Sequence, residues 1–69
     1  MNQKEYAMKL EKYLIELRET LIPTDQVHAW GYGALSFAKR INAISVEDYT
    51  RLMLEHNARF RKDDWNDSI

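Results

Sequence analysis

The 69-residue sequence has no cysteine, which excludes a disulfide framework and any thiolate metal site. The same absence fits a reducing compartment, and with no membrane span or signal-peptide core in view a cytoplasmic setting is expected. Proline occurs once and glycine twice, leaving little material for loops. Net charge is −1, so no overall field draws the chain to nucleic acid or to a membrane surface. The charges are also evenly spread: residues 1–20 hold four basic and four acidic groups, residues 21–45 hold Asp25, Lys39 and Arg40, and residues 46–69 hold four basic and six acidic. No apolar run approaches the roughly 20 residues of a membrane span. The opening "MNQKEYAMKL" lacks the apolar centre of a signal peptide.

What the sequence does contain is 45% hydrophobic and 30% charged residues, the balance of a soluble globular protein. One domain spanning 1–69 is expected. A chain this short buries only about 60% of the surface its unfolded form exposes, so its stability is marginal. Small domains of this kind often gain stability from a partner.

The apolar spacing predicts three helices, approximately 3–20, 25–41 and 46–61, with a polar tail at 62–69. In the first, Tyr6, Leu10, Tyr13, Leu14, Leu17 and Leu21 recur in steps of three and four. Asn2 with Glu5 reads as a capping box, Met1 and Tyr6 as a hydrophobic staple. Glu5–Lys9 and Lys12–Glu16 are placed to pair one turn apart. Pro23 ends this helix. Thr24 or Asp25 is then expected to cap the second, with Val27, Trp30, Ala34, Phe37, Ala38 and Ile41 as its inward stripe. Asn42 follows at a position suited to a left-handed cap. In "ISVEDY", Ser45 is the expected N-cap of the third helix, Asp48 its reciprocal partner, and Ile44 with Tyr49 a staple. Tyr49, Leu52, Met53, His56 and Phe60 form the third inward stripe. Glu47, Arg51, Glu55 and Arg59 form an alternating ladder on another face. The fold class is therefore all-α, a small three-helix bundle built as a hairpin plus a third helix.

The stretch "HAWGYGALSFAKR", His28 to Arg40, carries both glycines inside a helix, where each costs about 1 kcal/mol relative to alanine. A close approach of another helix, a kink or a loop would explain them. Ala29, Gly33 and Ser36 form a strip of small residues, and intramolecular packing is the first expectation for it. An intermolecular contact through that strip, with the neighbouring Tyr32 and Leu35, is the second.

Motifs for chemistry are largely missing. His28 and His56 lie on different helices, and neither belongs to a HExxH pattern, so no metal is expected. Asp63, Asp64 and Asp67 lack the spacing of a calcium loop. "GYG" follows no strand and lacks a P-loop lysine. Ser36 and Ser45 have no paired base at a recognisable spacing. Neither a catalytic site nor a cofactor is expected. The segment "ALSFAKRINAISVEDYTRLMLEH" resembles a helix-turn-helix, but its recognition helix would begin Val46-Glu47-Asp48 and set two carboxylates against phosphates. A nucleic-acid role would instead use Lys39, Arg40, Arg59, Arg61 and Lys62, with Trp65 available for stacking.

Eight aromatic residues are more than so small a core can enclose. Partly exposed Tyr and Trp are common interface anchors. The leading expectation is thus a non-catalytic interaction module that docks by a helix face onto another protein, including a second copy of itself. The expected contact residues are Ala29, Tyr32, Gly33, Leu35, Ser36 and Trp65, and Leu54 also falls outside the inward stripes. In composition the chain resembles the small accessory proteins of bacteria and their mobile elements.

Overall fold

Asn2 starts the first helix as its spacing requires. Its Oδ1 accepts from the Glu5 backbone N–H at 2.8 Å, and its Nδ2 donates to Glu5 Oε1 at 3.2 Å. In this computed structural model, which describes residues 2–20 and 22–60, three α-helices follow in order: α1 Gln3–Arg18, α2 Thr24–Arg40 and α3 Val46–Arg59. They pack against one another as an all-α three-helix bundle. Met1 of the expected staple, Leu21 of the first stripe and the 62–69 tail lie outside the described residues.

The end of α2 and the start of α3 form a tight corner. Asn42 takes φ 60°, a left-handed conformation that asparagine tolerates. Around it Asn42 N–H donates to Lys39 O at 3.1 Å and Ala43 N–H to Ala38 O at 2.8 Å, the pairing of a Schellman cap. Three residues on, Ser45 Oγ accepts from Asp48 N–H at 3.1 Å. Asp48 does not complete the box. Its carboxylate instead meets Lys4 at 3.8 Å and Arg51 at 3.4 Å. Ser45→Ala is expected to cost about 1 kcal/mol, measured as a lower denaturation midpoint in urea. An unchanged midpoint would mean that α3 is capped elsewhere.

The start of α2 corrects the expectation from sequence. Pro23 is the capping residue, and no side chain caps the helix. Asp25 Oδ1 accepts only from the next backbone N–H, that of Gln26. Proline supplies a preset φ but no side-chain acceptor, so the first turn relies on the Pro23 carbonyl, which receives Gln26 and Val27 N–H.

The core is formed by Ala7, Leu10, Leu14 and Leu17 from α1, Val27, Leu35 and Ala38 from α2, and Ile44, Leu52 and Phe60 around α3. The stripes of α1 and α3 largely follow the sequence reading, except that Tyr13 is exposed. The stripe of α2 does so only at Val27 and Ala38. Between them the spacing picks out Trp30 and Ala34, but the buried positions are Gly31 and Leu35. That is a shift of one residue, a rotation of about 100° on a helix. The cause is distance. Gly31 and Ala38 let α2 lie close to its neighbours, and a Cβ at Gly31 would overlap Cε1 and Nε2 of His56 and come to 3.0 Å from Leu14 Cδ2. Trp30 and Phe37 in the same places would hold the helices apart. The two glycines thus have different roles. Gly31 is the close-approach position, whereas Gly33 faces open space. The expectation that the Gly33 strip packs inside the bundle is therefore overturned.

Among the described residues the ion pairs join α1 to α3 or run along α3. Arg51 meets Glu11 at 3.3 Å, Asp48 at 3.4 Å and Glu55 at 3.6 Å, and Arg59 meets Glu55 at 3.9 Å. The hydrogen bond to Glu11 is the main reason that the Arg51 pKa is raised above its ordinary value. Such exposed pairs contribute about 0–1 kcal/mol each, so they orient α3 on α1 more than they hold it there. The expected Glu5–Lys9 and Lys12–Glu16 pairs do not form.

Candidate functional site

Turning Gly31, Leu35 and Ala38 inward forces the next stripe of α2 outward. Trp30, Phe37 and Ile41 are 42%, 59% and 49% exposed, and Tyr13 of α1, across from them, is 41% exposed. Ala34 lies on the same stripe and lines a shallow groove of about 360 Å³ with Tyr6, Lys9, Leu10 and Tyr13. The outer side of α1–α2 is consequently an aromatic face, while the α1–α3 side carries the ion pairs. Hydrophobic spacing does not reveal this face, because large rings at helical spacing look like core positions. Gly31 is the residue in the sequence that signals it.

The contact residues expected from sequence are divided by the fold. Leu35 is a correction: it is 0% exposed and belongs to the core. Its place on the inward side follows from the same one-residue rotation. Ala29 and Gly33 are exposed, and Gly33 borders the aromatic face one turn before Phe37. Tyr32 is 51% exposed but lies on the opposite flank of α2, and Ser36, one turn on from it, is half-buried. Trp65 is outside the described residues. Leu54 is exposed on the outer side of α3, as expected.

The basic residues are also separated. Lys39 lies over the Tyr49 ring at 4.8 Å, and Arg40 is exposed beside it at the end of α2. Arg59 ends α3 at the other end of the bundle, beside the start of α2, where it pairs with Glu55. Arg61 and Lys62 lie outside the described residues.

A second cluster joins α2 to α3. The His28 and His56 rings stack with centroids 4.9 Å apart and planes within 3°. Phe60 tilts against both, and the Arg18 guanidinium covers Phe60 at 5.3 Å. Arg18 Nε also donates to Arg59 O at 2.9 Å. His56 is fully buried. Its Nε2–H is assigned as donor to the His28 backbone oxygen at 3.0 Å, while Nδ1 has no partner. His28 Nε2 meets Asn57 Oδ1 at 2.9 Å. Burial is the main cause that lowers the His56 pKa. The carbonyl of His28 opposes it, and the nearby His28 and Arg59 charges add to it. Both Nε2 atoms are thus committed to protein acceptors, and no group of three metal-ligating side chains occurs among the described residues. Helical spacing put His56 on the inward stripe, but no spacing rule links it to His28, 28 residues away.

No helix among the described residues is long and apolar enough to cross a membrane. Comparison with protein-family models, with characterised proteins and with solved structures finds no match to this chain.

Proposed function

We propose that this chain is a non-catalytic interaction module whose α1–α2 face docks onto the same face of a second copy. The observation that carries the reading is the outward stripe of Trp30, Phe37 and Ile41 beside Tyr13. With aromatic side chains presenting about 150–250 Å² when free, those exposures leave roughly 400 Å² of apolar surface. The largest apolar patch on a typical monomer is about 300–600 Å² and is often its functional surface. Two such faces brought together bury roughly 800 Å² before their rims are counted, against about 1,200–2,000 Å² for a standard interface. That area supports a small, reversible dimer. A net charge of −1 per chain offers little long-range repulsion to a second copy. A cytoplasmic setting belongs to the same proposal.

Sedimentation velocity over a concentration series tests this. The wild-type chain is expected to dimerise reversibly, with little dependence on salt. Phe37→Glu sets two carboxylates against each other across a symmetric contact and should leave a monomer. Because Phe37 is mostly exposed and Glu suits a helix, fold stability should change by less than about 1 kcal/mol. A wild-type chain that stays monomeric throughout would reject the reading. Binding to a random-sequence duplex that falls steeply with salt would instead favour the nucleic-acid role of the basic residues.

A further inference from the structure

His56 is held as a neutral ring. Nε2–H has an acceptor in the His28 carbonyl, but Nδ1 has none. A proton added at Nδ1 would create a buried, charged N–H donor with no acceptor, which is costly in an interior. Among the described residues no carboxylate hydrogen-bonds the ring. From α2 the ring meets His28 and the bare backbone of Gly31. From α1 the nearby groups are Leu14 and Arg18, the latter spread over Phe60. On α3 Arg59 adds a second positive group, and the Glu55 carboxylate, whose Oε1 is buried without a hydrogen-bond partner, faces Arg51 at 3.6 Å and Arg59 at 3.9 Å. The N-terminal half of α3 is fastened separately, by the buried side chains of Ile44 and Leu52.

We propose that the stacked His28–His56 pair is a proton-operated latch: the C-terminal half of α3 lies on α1 and α2 while His56 is neutral, and lifts when His56 takes up a proton. The direction follows from linkage. In the open form His56 titrates near its ordinary value of about 6.5. In the closed form its pKa is lowered, chiefly by burial. Above about pH 6.5 both forms are neutral and the latch has its full strength. As pH falls below that value the open form binds the proton first, and the closing equilibrium weakens by up to about tenfold per pH unit. The weakening stops once the pH has passed the lower, closed-form value. The lifted segment would expose Phe60 and Leu14, so the device converts acidity into new apolar surface at the end of the bundle opposite Lys39.

The test uses the intact chain between about pH 7.5 and 5.5, where few ordinary carboxylates titrate. NMR should show the His56 ring titrating below 6.5. Amide exchange of residues 56–60, corrected for its intrinsic pH dependence, should accelerate by up to about tenfold per pH unit. Residues 7–14 of α1 should not follow. His56→Gln keeps a neutral amide donor and should remove the pH dependence. If that variant fails to fold, the wild-type titration and exchange decide. Titration of His56 at or above 6.5 would overturn the latch. So would exchange in α3 that ignores pH, equal acceleration in α1, or the same pH dependence in His56→Gln.

Discussion

Gly31→Ala is expected to lower the stability of the bundle by about 1–3 kcal/mol, although alanine is the better helix former by about 1 kcal/mol. The added Cβ meets His56 Cε1 and Nε2 and the Leu14 methyl. His56 cannot move aside cheaply, because its ring is fully buried, stacked on His28 and hydrogen-bonded to the α2 backbone. Either the ring leaves its slot and loses that bond, or α3 shifts away from α2. Gly33→Ala two residues later meets nothing, so it should return the helix-propensity gain of up to about 1 kcal/mol. For a domain of this size each kcal/mol moves Tm by roughly 4–8 °C. The two variants should therefore melt on opposite sides of the wild type. Identical melting would mean that His56 does not lie against Gly31.

Leu35→Ala should have the larger effect, about 2–5 kcal/mol, as do deletions of other fully buried leucines. Few domains of 69 residues have that much stability to spare, since the usual range of about 5–15 kcal/mol is reached by larger cores. A substantial unfolded population in buffer is the expected result, read from the far-ultraviolet dichroism and its urea dependence. The contrasting variant is Leu54→Ala. Leu54 is 66% exposed on the outer side of α3, and its loss should stay within about 0.5 kcal/mol. Should Leu35→Ala leave stability intact and weaken association, Leu35 would be an outward anchor and the rotation of α2 described above would be wrong.

The caps at Asn2, Asn42 and Ser45 were legible in the sequence, whereas the cap of α2, the pairs one turn apart on α1 and the inward side of α2 were not. Asn2, Ser45 and Asn42 act through bonds to their own neighbours, so three residues of context locate them, and each performs the capping role its type and position predict. The inward stripes of α1 and α3 were legible because leucine spacing coincides with burial there. On α2 the inward reading holds at Val27 and Ala38, but two neighbouring sets compete for the remaining places, one of Gly31 and Leu35 and one of Trp30, Ala34, Phe37 and Ile41. Hydrophobicity favours the second. Steric fit favours the first, because a helix between two others must be narrow on its inner side. Spacing within one helix does not contain that information. The pairing of His28 with His56 was hidden for the same reason: it depends on how α2 and α3 cross. The aromatic face is the direct consequence of the choice made by the fold, since rings denied a place in the core are left on its outside.

That choice is tested most directly by NMR with a soluble paramagnetic probe, read at two protein concentrations. In dilute solution the side chains of Trp30, Phe37 and Ile41 should relax strongly, and those of Leu14, Leu35 and Ala38 should not. At high concentration protection should appear on the Trp30–Phe37–Ile41 stripe and on Tyr13, while exposed Leu54 stays accessible. Strong relaxation at Leu35 and Ala38, with Trp30 and Phe37 shielded at every concentration, would contradict the account.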